Sequence, residues 1–326
     1  MRRPDGLRLV LCLVAASLLL AGLAACLGPG PNRAPTASFT ASPESGYAPL
    51  AVQLDARASR DPDGDPLTYA WTFDNAETAY DALVMRTFAA GTHSIALEVS
   101  DARGGVDVET GTVSAQTVPE GYIARTYAWS ADGAPRACTL LIPWDLYQMY
   151  KGRIRNTTAE SYAYGDYVSD PLDDPTMRDY ADIFWTQASS VEGFVDDVLA
   201  FVQIAIRYRP DPPGQDWPWY PLETLVAGEG DCEDSAILFV SLLRARSVSS
   251  SLAFVDTDSD HLPDHVLALV PVSAAWASRL TCTTQLLVLN GVSYAVAETA
   301  GDSPSIDLGC DPWGLTPDDV YQVWSF

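Results

Sequence analysis

Between Asn32 and Gln116 the chain carries no helical repeat of apolar residues. Short runs recur instead, at Thr36–Thr40, Leu50–Asp55, Leu67–Asp74, His93–Val99 and Val106–Val113. Turn-forming clusters such as Ser42-Pro43-Glu44-Ser45-Gly46 and Asp61-Pro62-Asp63-Gly64-Asp65 separate them. Short alternating runs predict strands, because successive strand side chains point to opposite faces, and Pro, Gly and Asp close each strand within a few residues. A small antiparallel β-sandwich is the fold such a rhythm allows. From Pro119 the rhythm changes to longer helical patterns, and 326 residues suffice for a second core.

Four runs in the first region, Ala34-Pro35-Thr36-Ala37, Ser59-Arg60-Asp61-Pro62-Asp63-Gly64-Asp65, Tyr69-Ala70-Trp71-Thr72-Phe73-Asp74 and Leu97-Glu98-Val99-Ser100-Asp101, together resemble a PKD domain. The resemblance implies an immunoglobulin-like sandwich over residues 34–116, a module of extracellular proteins that engages surface glycan or protein. The Gly-Asp usual after the Trp-x-Phe run is replaced by Asp74-Asn75-Ala76. Trp71 is then a core residue and His93 a surface residue without chemistry. Asp61, Asp63 and Asp65 offer hard oxygen ligands suited to calcium, and read equally as a solvated turn.

The formal charge of −24 excludes nucleic acid, whose binding needs basic surface, and Lys151 is the only lysine. Such an acidic, lysine-poor surface suits high salt and an archaeal source. Residues 1–25 read as an export signal: Arg2, Arg3 and Arg8 precede an apolar run, Leu9 to Leu23, that is short for a membrane span. Its ending, Leu23-Ala24-Ala25-Cys26, resembles the lipobox of prokaryotic lipoproteins. That implies lipidation of Cys26, a tether over 26–33 rich in Gly and Pro, and a membrane-anchored protein at the cell surface. Asn156-Thr157-Thr158 is a glycosylation sequon.

In the second region Tyr122–Trp129 and Ala137–Ile142 predict a strand hairpin, Asp145 to Arg155 a helix, and Val191–Tyr208 a helix with one broad apolar face, stopped by Pro210, Pro212 and Pro213. A loop rich in Trp and Pro, Trp217 to Pro221, either lines a cleft or packs on a helix. After Gly230-Asp231 comes Cys232-Glu233-Asp234-Ser235, then Ala236–Leu243, apolar almost all round, as a buried central helix must be. Cys232 therefore opens a helix, where unpaired N–H groups and the helix dipole favour a thiolate, while its acidic neighbours oppose it. A base is needed. His265 opens the apolar run Val266–Val270, and His261 in the acidic loop before it is the second choice. Asn290-Gly291 joins Gln285–Leu289 to Val292–Glu298 as a hairpin, which brings Glu298 to the end of a strand.

The order Cys at a helix start, then His and an acid on successive strands, resembles the transglutaminase-like superfamily, with its α+β, papain-related cysteine-protease fold. The resemblance covers roughly 187–326, with 117–186 as a linking or N-terminal part. It rests on Phe201-Val202-Gln203-x-x-Ile206-x-Tyr208-x-x-Asp211, Tyr220-Pro221-Leu222-Glu223-Thr224-Leu225, Gly230-Asp231-Cys232-Glu233-Asp234 and Asp264-His265. Archaeal members carry such a core beside PKD modules. The pattern implies Cys232 as nucleophile, His265 as base and Glu298 as orienting acid, where Asp is commoner, with Asp307 as the fallback acid. Gln203 is the expected oxyanion donor beside the Cys232 N–H. The implied activity is hydrolysis or acyl transfer at an amide or thioester carbonyl of an extracellular protein or peptide. The alternative is a non-catalytic adhesion or scaffold lipoprotein. Asp256, Asp258, Asp260 and Asp264 echo a calcium loop that lacks its turn glycine and final Glu. With Cys26 lipidated and Cys232 catalytic, Cys138, Cys282 and Cys310 remain. One pair and one buried thiol is the simplest allocation, with Cys282 and Cys310 as the expected pair.

Overall fold

The computed structural model describes residues 30–326 except 75, 132, 156–162, 213–216, 259, 283–285 and 301–305. Cys26, the export segment and the sequon at 156–158 lie outside the described residues. Two compact units form, one ending at Gln116 and the other spanning Thr117–Phe326.

The first unit is a sandwich of two sheets. One holds β1 (Thr40–Ser42), β3 (Leu50–Asp55) and β6 (Leu83–Phe88). The other is ordered β2-β8-β7-β4-β5, from β2 (Ser45–Tyr47), β4 (Leu67–Phe73), β5 (Glu77–Ala79), β7 (Gly91–Asp101) and β8 (Val106–Gln116). Alternation along β3 buries Leu50, Val52 and Leu54 against Trp71, Phe73, Leu97 and Val99 of the facing sheet. Trp71 is fully buried and its Nε1–H donates to Asp81 O at 2.8 Å, so its one polar atom is satisfied inside the core. Thr36 enters only an isolated bridge with Arg60, and the first strand starts at Thr40 instead. The described end of the expected tether is fastened to this unit: Asn32 donates to Asp101 at 2.8 Å and the Arg33 N–H to Asp63 at 2.8 Å.

The second unit opens with the antiparallel hairpin β9 (Tyr122–Ala131) and β10 (Ala134–Pro143). Helices α1 (Trp144–Lys151), α2 (Tyr164–Val168), α3 (Asp174–Trp185) and α4 (Val191–Ala205) follow. Next come β11 (Arg207–Tyr208), α5 (Pro221–Ala227), β12 (Glu229–Gly230) and α6 (Cys232–Ala245). The chain closes with β13 (Ser251–Val255), β14 (His265–Pro271), α7 (Ala274–Ala277), β15 (Leu287–Leu289), β16 (Val292–Ala297) and β17 (Val320–Ser325). The last five strands make an antiparallel sheet ordered β15-β16-β14-β13-β17.

Helix α6 explains the architecture. Glu233 to Leu243 are all buried, because α6 packs on β13 and β14 on one side and on α2 to α5 around the rest. A helix apolar on every side has no solvent face to offer. Truncating a fully buried residue such as Leu238 to alanine therefore costs about 2–5 kcal/mol. Residues 117–186 are more than a link, since Tyr127, Trp129, Tyr180 and Phe184 share one core with Phe201, Leu238 and Val266. Helix α4 ends at Ala205 rather than Tyr208, because Arg207 and Tyr208 leave it to pair in parallel with Glu229 and Gly230. The predicted helix over 145–155 stops at Lys151.

Candidate active site

Two glycines and a short bridge deliver Cys232 to its position. Gly228 ends α5 at φ +67°, a left-handed conformation that favours glycine. The β11–β12 bridge then fixes Gly230, whose carbonyl accepts the Arg209 N–H at 2.8 Å. A Cβ on Gly230 would lie 2.6 Å from the Cβ of Asp234, so only glycine lets the chain turn this tightly into α6. Asp234 in turn accepts the Trp219 N–H at 2.6 Å, and α6 starts at Cys232.

Cys232 and His265 line one cavity of about 210 Å³, with Tyr164, Asp211, Asp231, Glu233, Phe254, Pro263, Asp264 and Val266 around them. His265 Nε2 is 2.8 Å from Glu298 Oε2, and the two side chains are 16% and 3% exposed. The second Glu298 oxygen accepts the Ala300 N–H at 2.7 Å, so the carboxylate is held on both sides. Nδ1 of His265 has no hydrogen-bond partner among the described residues. Trp313 covers the imidazole with ring centroids 4.7 Å apart. The turn that presents Trp313 is built by Asp311, whose carboxylate accepts the N–H groups of Trp313, Gly314 and Leu315 at 2.9, 3.0 and 2.5 Å. Neither Trp313 nor this turn carries a periodic signal, and Gly314, at φ +72°, is the one hint of it in the sequence.

The electrostatics of the thiol reverse the simple helix-dipole expectation. The Cys232 thiol donates to Glu233 Oε2 at 3.3 Å. Enclosure of the sulfur, then the charges of Glu233 and Asp231, push this thiol well above the ordinary cysteine range, and the Val266 N–H only partly opposes them. Asp211, Asp231 and Glu233 bring carboxylate oxygens within 4.8 Å of one another at the same place. Cys138, the other free thiol among the described residues, is pushed up to about 12 by burial and then by Asp197.

Several residues expected at the site are elsewhere. Gln203 Nε2 donates to the backbone carbonyls of Glu298 at 2.6 Å and Ile306 at 2.9 Å. Its donors are spent on clamping the loop behind Glu298, and it lines a different cavity, so it is not an oxyanion donor. Asp307 lines that second cavity too, which removes it as the fallback acid. His261 is exposed at φ +69° and its backbone N–H donates to Asp256 at 2.8 Å. It does not line the Cys232 cavity. The Trp217–Pro221 loop does not line it either: Trp217 stacks on Arg155, and Tyr220 packs between Tyr150 and Tyr167.

The two calcium-like clusters differ in how many of their carboxylates stay together. Asp256, Asp258 and Asp260 gather oxygens within 4.8 Å, but Asp264 turns away to accept from the Thr257 N–H and hydroxyl at 2.9 and 2.8 Å. In the first unit Asp61, Asp63 and Asp65 bring carboxylate oxygens within 4.8 Å of one another, with Arg33 bonded to Asp63 and Arg103 3.5 Å from Asp65. Cys282 and Cys310 form a disulfide, the pairing the cysteine allocation favours.

Comparison with known proteins bears on the first unit. Residues 32–117 match the family model of the PKD domain, and that stretch is a PKD domain. No curated protein matches the chain. Among solved structures, the PKD1 domain of Vibrio anguillarum Epp is 26% identical, with 27% of this chain and 99% of that one covered at a TM-score of 0.23. A structure described as the basis for the promiscuous specificity of carbohydrate-binding modules from the β-sandwich superfamily is 22% identical, covering 31% of this chain and 47% of that one at a TM-score of 0.26.

Proposed function

We propose that residues 117–326 form a transglutaminase-like thiol enzyme acting on an amide or thioester carbonyl of an extracellular protein or peptide. The observation that carries this reading is the shared cavity: Cys232 and His265 both open on it, and Glu298 holds the imidazole from behind. His265 takes the proton of Cys232 as the sulfur attacks the carbonyl, and returns it to the departing group. Glu298 fixes the tautomer, because an imidazole whose Nε2–H is bonded to a carboxylate presents Nδ1 as the basic nitrogen. The Cys232 N–H, among the unpaired amides of the first turn of α6, is available to the oxyanion. Water as acceptor gives a peptidase or amidase, and an amine gives cross-linking.

The same reading puts the protein at the cell surface, exported and lipid-anchored through Cys26, with the PKD domain binding surface glycan or protein. Among the described residues no helix is long and apolar enough to cross a membrane. The acidic enclosure of Cys232 favours a second reading, a scaffold lipoprotein whose second unit only recognises its partner.

Acyl trapping separates the two. The full chain is incubated with a panel of peptidyl nitrophenyl esters, thioesters and cell-wall amides, and adducts are mapped by mass spectrometry. The enzyme reading expects an acyl group on Cys232 and none on Cys138, with turnover lost in Cys232→Ala. A panel that leaves Cys232 unmodified while the protein is folded rejects it.

A further inference from the structure

The contact between Cys232 and Glu233 is unusual in its geometry. Adjacent residues on a helix do not face each other, yet the Glu233 carboxylate reaches the sulfur of the residue before it at 3.3 Å. Glu233 is only 6% exposed, and burying a carboxylate beside two others costs free energy that its contacts must offset. The charged and titratable groups lining the cavity come from every element around it. Asp211 comes from the loop after β11, Asp231 and Glu233 from the start of α6, Asp264 and His265 from the start of β14, and Tyr164 from α2. Of these only His265 can be positive. A thiolate formed in this cavity before substrate enters would meet carboxylates and a single weak counter-charge, so the proton belongs on sulfur and needs an acceptor.

We propose that Glu233 is a positioning residue for the nucleophile: it accepts the S–H of the resting Cys232 and keeps the thiol un-ionised until an acyl substrate fills the cavity. The S–H proton then passes to the ring nitrogen of His265 not bonded to Glu298. The sulfur electron pair forms the S–C bond, and the carbonyl π pair moves to oxygen. Collapse restores the carbonyl, expels the leaving group and returns the proton to it from His265. An exported thiol gains from this arrangement, since oxidants and stray electrophiles attack the thiolate rather than the thiol. The inference rests on reading Cys232 as the nucleophile, but its test does not need turnover.

The test is the pH profile of Cys232 alkylation by iodoacetamide in the full chain, with peptide mapping to separate Cys232 from Cys138. In the wild type the midpoint is expected above that of an ordinary thiol, about 8.5. Glu233→Gln keeps the size and removes the charge, and its midpoint is expected at least one pH unit lower, with about tenfold faster labelling at pH 7.5. Glu233→Asp keeps the charge and is expected to stay within half a unit of the wild type. A Glu233→Gln midpoint that stays put or rises overturns the proposal. So does a wild-type profile showing thiolate at pH 7, which needs no variant to fold. An unmoved midpoint with Cys232-dependent turnover removes Glu233 from its role and leaves the proposed function standing. A lowered midpoint without any turnover does the reverse.

Discussion

His93 in the first unit and His265 in the second each hold a carboxylate at hydrogen-bond distance, 2.7 Å to Asp74 and 2.8 Å to Glu298. The two pairs nevertheless have different uses. The other nitrogen of His93 is spent on the Ala89 carbonyl at 2.9 Å, and its ring packs on Phe88, so the pair closes on itself and ties β7 to the turn after β4. Asp74 is largely solvated, and the sequence expectation of a bare surface histidine missed only this local tie. His265 instead has a buried acid on one nitrogen and lines a cavity it shares with a cysteine. A histidine–acid pair becomes a candidate base when one nitrogen is left for a reacting atom, and it is a structural strut when both are engaged.

The largest effect that could break this comparison is on acyl transfer. His265→Ala should lower the rate of Cys232 acylation by a factor of about 10² to 10⁴, the range typical of a positioned base, while His93→Ala stays within about twofold. Equal losses in both variants, measured by adduct formation at fixed folded fraction, would erase the distinction. Glu298→Gln tests the acid alone. It keeps an oxygen for the Ala300 N–H but presents an uncharged amide to the imidazole. The expected loss is on the order of tenfold or more, at least about 1.4 kcal/mol of barrier, read from the same assay. A Glu298→Gln variant as fast as wild type would reduce Glu298 to a structural partner.

The sequence made the two folding regimes and the order of Cys232, His265 and Glu298 readable, because those depend on local patterning. A helix apolar on all sides, an Asn-Gly hairpin and a strand of buried residues are each visible within a short window. What it hid was every relation set by distance in the chain. Gln203 lies 95 residues from Glu298, and no local pattern shows that its amide caps the carbonyl of that residue rather than facing the cavity. Trp313 meets His265 only because the Asp311 turn folds back over β14. The fate of the acidic loop was also unreadable, since Asp264 belongs to the calcium-like spacing and its hydrogen bonds to Thr257 exist only in the folded turn. Glu233 is legible only as an acidic neighbour opposing a thiolate at Cys232, and its burial and its place as acceptor of the Cys232 S–H appear only in the folded chain.

A third carboxylate shows what happens with no histidine alongside. Asp173, before α3, is buried, and burial followed by the charges of Asp170 and Asp174 pushes its pKa up to about 7, with Arg153 pulling weakly the other way. A raised value means the folded state prefers the protonated acid. Its contribution is therefore fully present below about pH 4 and is lost as the pH rises through about 7. Asp173→Asn should accordingly stabilise the second unit at pH 8 by up to a few kcal/mol and change little at pH 4, measured as the shift in urea midpoint. Destabilisation at pH 8 instead would mean that the side chain is ionised and paired.

The smallest expected effect belongs to the closed pair itself. The hydrogen bond to Asp74, then that to Ala89, raise the His93 pKa, and the hydrogen bond from His93, then the Ser94 N–H, lower that of Asp74. For the histidine, the stabilisation is fully present below its unfolded value near 6.5 and fades as the pH rises through the higher folded value. For the aspartate it is present above about 3.8 and fades as the pH falls through its lower folded value. The two windows overlap in mildly acidic solution, and there the pair should contribute most. His93→Asn should thus lower the melting temperature of the sandwich by a degree or two at pH 5 and by less at pH 8.5, the small size following from the solvated Asp74. A larger loss at pH 8.5 than at pH 5 would show that the neutral imidazole, through packing on Phe88, supplies the stability and that the charge on the pair does not.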